Sequence, residues 1–292
     1  MSSRKRFWSR PQLEELEDRS LPNNLVNPVA GSMSGLFWAK VDPDDLEGSP
    51  AMARLVGSFA QSTADPSGHG NLGNPRVAPP QSNPYGQSYS QWSAAWWQYA
   101  LSIPTDQSPF LDTSGVNFSV GQTGNVWYLS GTFCLNPNGQ PCTSFNPATV
   151  VRDVTLRSGI SLFFPILNSE ADNLNFVTGQ QDLGFTIPEL RAQAKAFIDD
   201  TVGHLTCTID GTPVQNLDLF RVTSPVFSYT LPANNIAGVP AQTVFPAVSD
   251  GVFLMVRPLS VGQHTIHFTG AAPDFNFALD VTYNITVTSG KN

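Results

Sequence analysis

The 292-residue sequence predicts a mainly β domain, an antiparallel β-sandwich or jelly-roll-like fold carrying two short helices. Three observations predict it. Short runs rich in β-branched and aromatic residues recur between residues 125 and 287, each bounded by Gly, Pro, Asn or Asp. Charged residues make up only 13% of the chain, against roughly 25% in an average soluble domain, and Ser, Thr, Asn, Gln, Gly and Pro take their place. Helical periodicity is confined to two segments.

The strand candidates follow in order. Asn125–Phe133, Thr149–Leu156 and Ile160–Leu167 read as strands. His204–Asp210 alternates cleanly, with Leu205, Cys207 and Ile209 on one face, before an Asp210-Gly211 hairpin turn. Val252–Leu259, Gln263–Phe268 and Phe275–Val287 complete the set, and many short antiparallel strands with turns between them suit a sandwich. On the Gln263–Phe268 strand, His264 shares a face with Ile266 and Phe268, and His267 lies on the other face with Thr265 and Thr269.

The first helix is predicted within Tyr89–Pro104. Tyr85, Tyr89, Trp92, Trp96 and Tyr99 are spaced 4, 3, 4 and 3 residues apart, which aligns them on one stripe able to seal a core. Ser88 or Ser90 can cap its start, Ile103-Pro104 ends it, and Trp97 lies off the stripe, free to bind a ligand. The second helix spans Thr186–Asp200, with Thr186 and Glu189 as a capping box and Leu190, Ala194, Phe197 and Ile198 as its apolar stripe. Asp199 and Asp200 sit at its negative end, solvated or held by a cation or basic partner.

Composition bounds the partners. The net charge is −8, which argues against nucleic acid, and no apolar run is long enough for a transmembrane helix. Residues 1–23 begin with Arg4, Lys5, Arg6 and Arg10 but lack the apolar run of a secretory signal. Residues 24–83 are rich in Pro, Gly and Ser and read as a linker or arm, leaving 84–292 as the β-sandwich domain.

Candidate chemistry is sparse. Cys134 and Cys142 flank Leu135–Pro141, whose Asn-Pro and Asn-Gly pairs reverse the chain, so a disulfide between them is expected; Cys207 is left as a buried thiol. Cys134, Cys142, Cys207 and His204 match no standard zinc spacing. There is no His-Glu-x-x-His, nucleophile elbow or phosphate-binding loop, and no sequence signal points to a Ser-His-Asp triad. Glu170 and Asp172 follow the Ile160–Leu167 strand in an amide-rich segment. With Asn173 and Asn175 they offer the oxygen ligands that Ca2+ favours. Alternatively, Glu170 and Asp172 are the paired carboxylates of a glycan-cleaving enzyme, with His267 as a further catalytic candidate. A polar turn leaving a strand has the same composition, and no other cofactor is implied.

Two resemblances add to this. Leu13–Pro22, read as Leu-Glu-Glu-Leu-Glu-Asp-Arg-Ser-Leu-Pro, resembles the "LEPLEDR" segment of exported and surface proteins of planctomycete bacteria, with Glu15 where Pro is usual. Residues 84–290 resemble a family of exported bacterial and fungal proteins through five blocks and a C-terminal pair. The blocks are Tyr85-Gly86-Gln87, Gln91–Pro104, Asp112-Thr113-Ser114-Gly115, Gly121–Leu129 and Phe163–Asn168; the pair is Asp250-Gly251-Val252 with Gly262–Ile266. Together they imply an exported or cell-surface domain and name no substrate. The expected function is non-catalytic binding of an extracellular glycan or matrix component. The alternative is a carbohydrate-active hydrolase or lyase using Glu170 and Asp172.

Overall fold

The computed structural model describes residues 73–132, 149–201, 203–275 and 277–290. The fold is mainly β, as expected, and the described strands form two five-stranded sheets. The first sheet runs β1 (Val126–Tyr128), β3 (Ser161–Asp172), β8 (Gln242–Val256) and β6 (Arg221–Thr223), with β7 (Phe227–Leu231) also on β8. The second runs β2 (Thr149–Arg157), β10 (Phe277–Thr288), β9 (Gly262–Ala272), β4 (Thr206–Ile209) and β5 (Thr212–Pro213).

Both sheets are mixed rather than purely antiparallel. β1 lies parallel to β3, and β2 parallel to β10. The turn between β2 and β3 explains the second pairing. Ser158-Gly159-Ile160, with Gly159 at φ +87°, hands the chain from one sheet to the other instead of closing a hairpin. β2 therefore stays at the edge of the second sheet, where β10 arrives in the same direction.

β3 is longer than its apolar run suggests, and it changes face midway. Pro165 has no N–H for the ladder, and the register slips between Pro165 and Leu167. Before the slip, Phe164 packs on Phe268 of the second sheet, while Phe163 stacks on Phe253 on the opposite side with centroids 5.3 Å apart. After it, Leu167 faces the second sheet at Gly270. Alternation then puts Asn168, Glu170 and Asp172 on the outer face. Gly251 has to be glycine there, because a Cβ would stand 2.6 Å from that of Asn168 and 2.7 Å from the Phe253 ring.

Helix α1 (Tyr89–Ser102) covers that outer face. Ser88 caps it, in a capping box with Gln91. Tyr89 and Trp92 pack on Phe163, and Trp96 packs edge-on against Phe110 and Phe253. Each polar tip finds a partner: Trp92 Nε1 donates to Pro84 O, Trp96 Nε1 to Leu129 O and Tyr89 Oη to Ala78 O, while Met255 N donates to Tyr89 Oη. Tyr85 departs from the stripe. It precedes the helix at φ +57°, is exposed, and shares a hydrogen bond with Ser161 Oγ.

Helix α2 (Ile187–Asp199) lies on the other side, where β3 and β8 extend past the second sheet. Leu190 and Ala194 pack on Ala171 and Val248, and Phe197 meets Phe275 and Phe277. The Glu189 carboxylate accepts from the N–H and hydroxyl of Thr186, as the capping box required. Asp199 is held by basic partners: it takes hydrogen bonds from Lys195 and Arg221, and Arg221 grips buried Asp250 with two bonds of 2.9 Å. Asp200 accepts from the N–H of Asp274 at 2.7 Å. Residues 73–83 also belong to the packed unit, since Val77 and Ala78 are buried and Val77 bridges Val256. No described helix is long and apolar enough to cross a membrane.

Trp96 is the centre of the α1 contact, fully buried with its N–H satisfied. Trp96→Ala is expected to cost about 4 kcal/mol in chemical denaturation, whereas Gln98→Ala, on the exposed side of the same helix, is expected to cost less than about 1 kcal/mol.

Candidate functional site

The structure brings Glu170 and Asp172 onto one face of β3, about 7 Å apart along the strand. It places them in the core, not in a solvent-facing turn: they are 5% and 3% exposed. Asp172 Oδ1 accepts from Leu174 N and Oδ2 from the Tyr229 hydroxyl, both at 2.5 Å. Burial, and then the charges of Glu170 and Asp172, push the Tyr229 phenol well above its ordinary value, so it stays a donor. Ser249, the cross-strand partner of Glu170, is also buried. Carboxylates that cleave a glycan have to reach its chain, and this pair lies beneath the surface.

The calcium set does not assemble either. Asn173 Oδ1 accepts from Phe185 N, and Asn175 Oδ1 from Val177 N and Thr178 N, so both amides are occupied in shaping the loop after β3. Among the described residues, no group of three or more His, Cys, Asp and Glu side chains is placed to hold a metal ion. Trp97 is 3% exposed rather than free. Its ring packs edge-on to Trp96 and against Phe110, because the chain after α1 folds back over the side of the helix that a one-sided stripe leaves open. Cys134 and Cys142 lie outside the described residues. Cys207 is a buried free thiol, and burial pushes its pKa up to about 12, which makes it inert.

His267 stands elsewhere, on the outer face of the second sheet. Its Nε2 is 2.9 Å from Asp280 Oδ1, and Thr149 Oγ1 donates to Asp280 Oδ2. The whole sandwich separates it from Glu170, so the three catalytic candidates do not form one site. The register sets out what surrounds His267: Thr206, Thr269, Asp280 and Thr149 form one rung across the sheet, and Thr208, His267, Thr282 and Val151 form the next. Thr265, Asn284 and Asp153 follow, then Gln263, Thr286 and Thr155. Thr206–Thr269, Asn284–Asp153 and Thr286–Gln263 are hydrogen-bonded across strands. Both helices pack on the first sheet's strands, and among the described elements none packs over this face. It is therefore an open, hydroxyl- and amide-lined surface, with side chains repeating about every 7 Å along strands some 4.8 Å apart.

One further cluster went unread in the sequence. Arg152 is 1% exposed, and all five of its N–H groups are used. Nε donates to Asp112 O, Nη1 to Ser130 O and Tyr283 Oη, and Nη2 to Pro109 O and Gly131 O. Its guanidinium lies 5.2 Å from the Tyr283 ring centroid. A small pocket opens beside it, lined by Tyr99, Asp112, Phe118, Tyr128 and Tyr283 among others. Burial pushes Tyr128 up to about 12. The signal was present: in the alternation of β2, Arg152 shares the inward row with Val150, Val154 and Leu156. A charge in an apolar row demands a built set of acceptors. Here those acceptors are loop carbonyls, so the guanidinium holds residues 109–131 onto the second sheet and has no donor left for a ligand.

The fold and surface define a β-sandwich-like protein with one open polar face and no exposed catalytic carboxylate pair among the described residues. No protein-family profile matches the chain. No curated protein sequence matches it either.

Asp112 supplies a pH test of the loop clamp. Burial alone would raise its pKa, but the N–H groups of Asn117, Ser114 and Gly115 and the Ser114 hydroxyl hold it below the usual carboxylate value. A lowered folded pKa stabilises above the unfolded value of about 3.9 and loses that contribution as pH falls through the folded one. Asp112→Asn should cost about 2 kcal/mol at pH 7, with the gap from wild type narrowing as the pH drops below about 4. Urea midpoints measured from pH 7 to pH 2.5 check it.

Proposed function

We propose that the chain is an exported or cell-surface β-sandwich protein that binds a neutral extracellular glycan without turning it over. The observation that carries this reading is the uncovered outer face of the second sheet. Its Thr, Asn and Gln side chains pair across strands, yet each hydroxyl keeps unused capacity to donate or accept, which suits the hydroxyls of a sugar polymer. The carboxylates on the face are engaged within it, Asp280 with His267 and Asp153 with the Asn284 amide. The net charge of −8 disfavours an acidic polymer and leaves a neutral one. The location outside the cytoplasm rests on the resemblances of Leu13–Pro22 and of residues 84–290 to exported proteins. The internal commitments of Asp172 and the burial of Glu170 favour binding over turnover.

A bulky cation on this face should block binding without touching the core. Thr282→Arg and Asn284→Arg are each expected to weaken retention on insoluble neutral polysaccharide at least tenfold while leaving the melting temperature within about 2 °C, and Glu170→Gln is expected to leave retention unchanged. A glycan array and polysaccharide pull-down that both stay blank, or retention indifferent to Thr282→Arg, would overturn the reading.

A further inference from the structure

A second chemistry lies at one end of the sandwich, independent of the glycan reading. Four segments meet there: the strip at Arg76, the β4–β5 turn at Asp210, the loop carrying Ser260 and the start of β9 at His264. His264 Nδ1 is 2.8 Å from Asp210 Oδ2, and His264 Nε2 is 3.2 Å from Ser260 Oγ. Asp210 is itself fixed. Its Oδ1 accepts from Thr265 N, its own N–H donates to Thr265 O, both at 2.8 Å, and Arg76 pairs with its Oδ2. Asp210 and Gly211 both have positive φ, the conformation of a tight hairpin turn, which aims the carboxylate at the imidazole.

We infer that Ser260, His264 and Asp210 form a nucleophilic serine site acting on short-chain acyl esters. The roles follow from the contacts. Asp210 accepts from Nδ1–H, and the tautomer with a bare Nε2 takes the serine hydroxyl, 3.2 Å away, as its donor, while the carbonyl contact of Nε2 forms only when that nitrogen bears a proton. The imidazole is 8% exposed while Ser260 is exposed, so the base is positioned by its surroundings and the nucleophile meets solvent. Nε2 is also 2.9 Å from the Ser260 carbonyl oxygen. Once the ring has taken the serine proton, both of its N–H groups have an acceptor, Asp210 on one side and this carbonyl on the other. The arrangement thus supports the imidazolium that the reaction forms. Exposed Val261 beside the serine offers an apolar contact for a short acyl chain, and the open loop suits a small substrate.

The steps balance without any further reactant than water. As Ser260 Oγ bonds to the acyl carbon, its proton passes to His264 Nε2 and the carbonyl π electrons move to the ester oxygen. Collapse of that adduct breaks the acyl–oxygen bond, and the leaving alkoxide takes the proton from Nε2 and departs as an alcohol. A water molecule then gives a proton to Nε2 while its oxygen attacks the acyl carbon. Ser260 Oγ leaves, recovers the proton, and a carboxylic acid is released.

The test uses the full chain, a fluorophosphonate probe with peptide mass spectrometry, and p-nitrophenyl acetate hydrolysis. Wild type is expected to carry the adduct on Ser260, and Ser260→Ala to lose both adduct and hydrolysis. His264→Gln is expected to slow labelling about 100-fold with the circular dichroism spectrum retained. Asp210→Asn, expected to slow labelling at least tenfold, decides the matter should His264→Gln fail to fold. A wild-type chain that takes no adduct on Ser260, or a folded His264→Gln or Asp210→Asn chain labelled as fast as wild type, would show that the three residues only clamp the hairpin.

Discussion

Burying the aromatic stripe of α1 is the constraint on which the rest of the structure depends. Tyr89, Trp92 and Trp96 supply a large apolar area, but each also carries a polar tip that must not be buried alone. The acceptors come from irregular chain on either side of the helix, at Ala78, Pro84 and Leu129. Sealing the first sheet therefore also fixes the path of residues 78–84 and the exit from β1. One packing event settles both a core and its loops.

That closure has a consequence for chemistry. With α1 over the outer face of the first sheet, and the second sheet and α2 over its inner face, Asn168, Glu170 and Asp172 end up inside. The polar residues of the chain divide accordingly. On the first sheet, Asp172 and Asp250 are locked into hydrogen bonds with Tyr229 and Arg221. Those on the outer face of the second sheet remain available to a partner, and those at Ser260, His264 and Asp210 meet where segments from both sheets converge.

Charge is scarce here, and two arginines at the sheets are fully engaged. Arg152 is satisfied by four carbonyls and a phenol, and Arg221 by two carboxylates and a carbonyl. Both tie an irregular or helical segment to a sheet, and at buried Arg152 losing one partner leaves a buried charge with its full desolvation cost.

The sequence by itself determined the class of the fold, because period-two alternation and turn residues are local properties: β2, β4, β9 and β10 lie where their alternation put them, and both helices start at the predicted caps. It also determined, through the inward row of β2, that Arg152 would need a built environment. Tertiary structure decided the rest. The face of Glu170 turned on a register slip at Pro165, the burial of Trp97 on a loop folding back over α1, and the parallel pairing of β2 on a three-residue turn changing sheets. Ser260, His264 and Asp210 were likewise brought together across 54 residues. Such contacts join residues with no periodic relation in the chain, so only the packed sheets put them within a hydrogen bond of one another.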